Sequence, residues 1–110
     1  CIRNSKIPVV TIVEGCAASA ATMISVVGHE RYITKHSHML IHQLSSEFWG
    51  KMEEIKDEYG NLKKLMKIIK KIYLKHTNIS SEKLDKILKR DIWWRSKKCL
   101  KLGLVDKILD

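Results

Sequence analysis

The sequence predicts an α/β layered fold, and three stretches predict it. Residues 9–27 read as a buried strand, a tight turn of small residues and a helix, in immediate succession. Short apolar strands then alternate with helical segments, and a long amphipathic helix occupies the middle of the chain.

Taken in order, Ile2 to Ser5 closes a preceding helix and Lys6-Ile7-Pro8 opens a strand over Val9 to Val13. Its β-branched, apolar run bounded by Pro8 and Gly15 marks it as buried. After Gly15 the side chains from Cys16 to Ala21 are all small, which favours a sharp bend into a helix from Ala20 to Val27, with Gly28 as its C′ residue. Arg31 to Thr34 and Met39 to His42 read as strands separated by the polar turn Lys35-His36-Ser37. From about Glu47 to His76, Met52, Ile55, Tyr59, Leu62, Leu65, Met66, Ile69, Ile72 and Tyr73 recur at helical spacing, while lysines such as Lys63, Lys67 and Lys71 occupy the other face. Gly60 is the weak point of that helix, at a cost of roughly 1 kcal/mol relative to alanine. Ser80 caps a helix over Ser81 to Lys89, with Glu82 set against its N-terminal dipole. Ser96 caps a short helix from Lys97 to Leu102 that Gly103 closes, and Val105 to Leu109 reads as a last strand.

At 110 residues the chain holds at most one domain, and with Cys1 rather than Met at its start it reads as a fragment. The three cysteines, at 1, 16 and 99, show no paired spacing, so neither a disulfide framework nor a zinc site is indicated and a reducing compartment fits. A net charge of +9 invites nucleic acid or an anionic membrane as partner. The lysines, however, are spread through 51–101 instead of gathering beside aromatic residues, and no stretch is long and apolar enough to span a bilayer. Neither nucleic acid nor membrane is therefore expected as a partner.

Strand, turn with one serine among alanines, then helix is the setting of a nucleophile elbow, which makes Ser19 a candidate nucleophile. The competing reading is a close-packed helix start. His36, His38 and His42 share strand parity, but the turn at 35–37 breaks that face and no carboxylate or thiol accompanies them, so no metal is expected. His29 and His76 sit at helix ends as solvated or dipole partners. His42 ends an apolar strand and needs a polar partner, either as a core histidine or as a base. Asp91, between Arg90 and the apolar Ile92-Trp93-Trp94, is either a surface acid paired with a lysine or a buried carboxylate compensated by an arginine or by an imidazole N–H.

GCAASA at 15–20, LIHQ at 40–43, RDIWW at 90–94 and GLVD at 103–106 together resemble the proteolytic subunit of the ATP-dependent Clp protease, ClpP. The resemblance covers essentially the whole chain. It implies a ClpP/crotonase-type layered fold with a long handle helix, in which residues 1–110 form the C-terminal part of a single peptidase domain. It also implies a serine endopeptidase with Ser19 as nucleophile, His42 as general base and acid, and Asp91 orienting the imidazole. The amide of Ala20 would be one oxyanion-hole donor, the second coming from a glycine upstream of residue 1. No cofactor is implied, since ATP is used by a partner AAA+ unfoldase. The implied partners are unfolded polypeptides, that unfoldase, and further copies in heptameric rings stacked in pairs, in the cytoplasm or in a plastid or mitochondrion.

The chain departs from the family pattern at Ala20 and Ala21, where Met and Gly are usual, at Leu44 in place of Pro, and at Ser45-Ser46 in place of a glycine pair. The stretch from Ser19 to His42 is also shorter than usual. These departures leave two alternatives: a catalytically weak or structural ring subunit, and an acyl-CoA enzyme of the crotonase superfamily, whose K-P-V-I-A-A-V-N-G stretch resembles IPVVTIVEG. A Ser/Lys peptidase of the signal-peptide-peptidase type would need neither His42 nor Asp91. The basic face of 61–75 is read as the solvated side of the handle helix, not as a membrane or calmodulin surface.

Overall fold

A computed structural model describes residues 1–18, 20–41, 50–90 and 92–110. Among them, strands β1 (Val10–Val13), β2 (Cys16–Ala18), β3 (Glu30–Thr34), β4 (His38–Leu40), β5 (Trp93–Arg95) and β6 (Lys107–Leu109) alternate with helices α1 (Ala20–Val26), α2 (Met52–His76), α3 (Ser81–Leu88) and α4 (Ser96–Lys101). The strands form two sheets, in the orders β1-β3-β6 and β2-β4-β5. The first is wholly parallel; in the second β2 runs parallel to β4 and β5 antiparallel to it.

Two chain segments step from the first sheet to the second, and they are bonded to each other where they step. Between β1 and β2 the chain turns at Gly15, whose φ of +89° a side chain would strain. Between β3 and β4 it turns through 35–37, where buried Ser37 accepts the Gly15 N–H at 2.8 Å and donates its own N–H to the Thr34 carbonyl at 3.1 Å. The His38 N–H returns to the Gly15 carbonyl at 2.9 Å. Ile33, Met39, Ile41, Leu84, Cys99 and Leu104, each at most 1% exposed, fill the interior against these strands.

A second organising point is Arg31. Its guanidinium grips Asp106 through two nitrogens, at 2.8 and 3.2 Å, and also donates to the carbonyls of Val26 and His76 at the ends of α1 and α2. A cation there satisfies carbonyls left over by two helices and opposes their dipoles. The same contact holds the Asp106 carboxyl below the usual carboxylate range, chiefly through the Arg31 hydrogen bond.

Helix α2 extends beyond this body. Met66, Ile69, Ile72 and Tyr73 pack against the core, whereas Met52 and Tyr59 are 67% and 54% exposed. The radius of gyration of 15.4 Å exceeds the roughly 13 Å of an average domain this long, and the projecting helix accounts for it. The 3–4 spacing of Met52, Ile55, Tyr59, Leu62, Met66, Ile69 and Tyr73 continues one apolar seam from the covered end to the uncovered one.

Several sequence expectations are corrected. Residues 2–5 make a turn, closed by Ser5 N–H to the Ile2 carbonyl, and no helix. Cys16–Ala18 is a strand where a tight turn was expected, because these small residues pair with His38–Leu40. Trp93–Arg95 is an antiparallel strand for which the sequence shows no separate signal. α2 runs unbroken through Gly60, where nothing lies within 4 Å of an added Cβ. Gly28 is required for close approach and not for a positive φ: a Cβ there would lie 2.5 Å from the Thr11 hydroxyl. Ser80 caps α3 by accepting the Lys83 N–H at 3.2 Å, as its position predicts. Ser96, by contrast, is the first residue of α4 and spends its hydroxyl on the Lys35 carbonyl at 2.7 Å. The first turn of the long helix expected at 47–49 lies outside the described residues.

Candidate active site

The three residues expected to carry catalysis, Ser19, His42 and Asp91, lie outside the described residues, as do Leu44, Ser45 and Ser46. Their chain neighbours are described. Ala18 ends β2, Leu40 ends β4 and is followed by Ile41, and Trp93 begins β5 two residues after Asp91.

The sheet register sets these neighbours in one row. Ala18 is the partner of Leu40, and Leu40 is the partner of Trp93. Since β2 and β4 run toward this row and the antiparallel β5 runs away from it, the chain leaves β2, leaves β4 and enters β5 at the same end of the same sheet. At ordinary strand spacing, three adjacent Cα atoms span only about 10 Å.

Ala20, the expected oxyanion donor, is the exposed first residue of α1. That helix start is tied to the row by Thr22, which is fully buried and donates its hydroxyl to the Leu40 carbonyl at 2.8 Å. This hydrogen bond thus couples the helix that follows β2 to the last residue of β4. Thr22 does not stand out in the sequence, where it counts only as one residue of the helix expected over Ala20 to Val27; a polar side chain on the inner face of an apolar helix is the available signal.

Groups elsewhere have structural roles. Cys99 is buried, donates to the Trp94 carbonyl at 3.6 Å, and has its thiol pushed up to about 11 by that burial, the opposite of an activated nucleophile. His29 accepts the Val9 N–H on Nδ1 at 2.9 Å, and so fastens α1's exit to the start of β1 instead of serving as a solvated helix-end group. His76 has its pKa lowered by burial and then by Arg3, Lys75 and Arg31. His36 and His38 line a cleft with Lys35, Arg95 and Lys97, a cationic setting unlike a metal site. Among the described residues no helix is long and apolar enough to cross a membrane.

Comparison with known proteins shows what the chain is similar to. A family model described as Clp protease matches residues 1–110. The ATP-dependent Clp protease proteolytic subunit of Deinococcus radiodurans is 32% identical over 111 residues, an alignment that covers 99% of this chain and 54% of that protein. The chain therefore spans about half the length of the curated relative it matches.

Proposed function

Since the chain belongs to the Clp protease family, we propose that it supplies the catalytic part of a serine endopeptidase subunit that hydrolyses unfolded polypeptides. Ser19 attacks the peptide carbonyl, His42 takes its proton and returns it to the leaving amine, and Asp91 holds the imidazole in the required tautomer. The N–H of Ala20 is one of the donors to the oxyanion.

The observation that carries this reading is the row Ala18–Leu40–Trp93. Three segments distant in sequence, each leading directly into or out of one proposed catalytic residue, share one end of one sheet. Both matched descriptions name a protease, which favours this reading over the crotonase and Ser/Lys alternatives. The long helix supports assembly: its apolar seam, exposed at Met52 and Tyr59 and half-buried at Ile55 and Leu62, is a surface for further copies, here proposed as heptameric rings stacked in pairs. A partner AAA+ unfoldase would spend the ATP, and this chain would need no cofactor of its own. The working compartment is proposed to be the cytoplasm or an organelle.

The test is hydrolysis of a fluorogenic peptide by the full-length protein and by Ser19→Ala, His42→Ala and Asp91→Asn variants. Near-complete loss in all three, with assembly retained, is expected. Full activity in Ser19→Ala, or in both of the other variants, would refute the triad. An inactive but well-assembled wild type would favour the structural-subunit alternative.

A further inference from the structure

At the opposite end of β4 and β5 from the row just described lies a cleft of about 430 Å³, lined by Lys35, His36, His38, Arg95, Ser96 and Lys97. Three of these carry permanent cations and two are imidazoles; none is a carboxylate. Among the described residues the ion pairs are Arg31–Asp106, Lys56–Glu53 and Lys70–Asp85, and none of them involves the cleft.

Such a concentration of one sign has a cost. A cavity of that volume is roughly 9 Å across, comparable to the Debye length of about 8 Å at physiological ionic strength, so salt does not fully screen these charges from one another. His38 and Arg95 are in addition direct cross-strand partners, which sets the imidazole beside the guanidinium. The walls are nevertheless held in place. The Ser96 hydroxyl, 3% exposed, bonds the Lys35 carbonyl at 2.7 Å, and so joins the two sides of the cleft across 61 residues of sequence. The Lys35 N–H is fixed to the Leu109 carbonyl at 3.0 Å, and Ser37 is fixed to Gly15. The backbone that carries the cations is thus pinned at the turn and at the strand end, so an arriving ligand has only their side chains to order.

We propose that this cleft is a binding site for a multiply charged phosphate-class anion. One carboxylate would leave most of the positive charge uncompensated, whereas a phosphate group carries close to two charges and accepts from arginine and lysine together. The volume lies within the range of ordinary small-ligand sites and exceeds what a single phosphate needs.

The test is calorimetric titration of the full-length protein with tripolyphosphate and, in parallel, with a phosphoserine peptide and a glutamate peptide of matched charge. One saturable site per chain is expected, weakened about tenfold or more by Arg95→Gln with Lys97→Gln. Lys63→Gln with Lys67→Gln on α2 makes the same change in net charge and should leave it intact. Arg95 and Lys97 are exposed, so the variant should fold, and circular dichroism checks that it does. Tighter binding of tripolyphosphate points to a free phosphate ligand, and tighter binding of the peptide points to a phosphorylated polypeptide; either supports the site. No saturable binding, equal weakening by both double variants, or equal affinity for the glutamate peptide would overturn it.

Discussion

Thr22→Val removes one hydroxyl while keeping the shape of the side chain, and it isolates the bond that ties α1 to the end of β4. Thr22 is fully buried and Leu40 is 8% exposed, so water does not readily replace the lost donor at the Leu40 carbonyl. Leaving a buried acceptor short of its partner costs about 1–3 kcal/mol. Chemical denaturation of the full-length protein should read a loss of that order. Activity should fall further than stability explains. The bond sets where α1 begins relative to β4, and a misplacement of about 1 Å at a reacting group can cost on the order of a hundredfold in rate. Thr22→Ser retains the donor and should restore most of the activity. A stability change below about 0.5 kcal/mol together with an unaltered kcat/KM would refute this role for Thr22.

Three further outcomes follow from the same structure. Ile55→Asp with Tyr59→Asp places charge on the projecting part of the α2 seam, and should lower the assembly state seen by sedimentation while circular dichroism retains its helical signal. Because Arg31 lowers the Asp106 pKa in the folded state, its stabilisation is fully present above the unfolded carboxylate pKa of about 3.9 and is lost as pH falls through the lower folded value. Asp106→Asn should therefore flatten the acid limb of the stability–pH curve, and an unchanged limb would remove Asp106 from the account. A thiol reagent should modify exposed Cys1 and Cys16 in the folded chain but reach Cys99 only after unfolding, and prompt labelling of Cys99 would contradict its burial.

What the sequence made legible was whatever depends on local pattern. The period of Leu62, Met66, Ile69 and Tyr73 announced α2, and Ser80 announced the start of α3. The triad candidates were legible through motif and family resemblance, not through periodicity. Two features depended on pairing partners far along the chain and were not legible. Cys16-Ala17-Ala18 has no strand propensity of its own and becomes β2 only because His38–Leu40 lies beside it. Trp93–Arg95 is too short to stand out and becomes β5 by pairing with the other edge of β4. The division into two sheets, and with it the row of strand ends beside the proposed site, rests on those two strands. Arg31 was likewise opaque, because its partners Val26, His76 and Asp106 converge only in the folded chain.

The most direct test of the proposed activity is to treat the assembled full-length protein with a fluorophosphonate and map the adduct by mass spectrometry. A single modified residue per chain, Ser19, is expected, with labelling lost in His42→Ala because the serine then lacks its base. An adduct on another residue, or labelling of Ser19 that persists undiminished without His42, would contradict it.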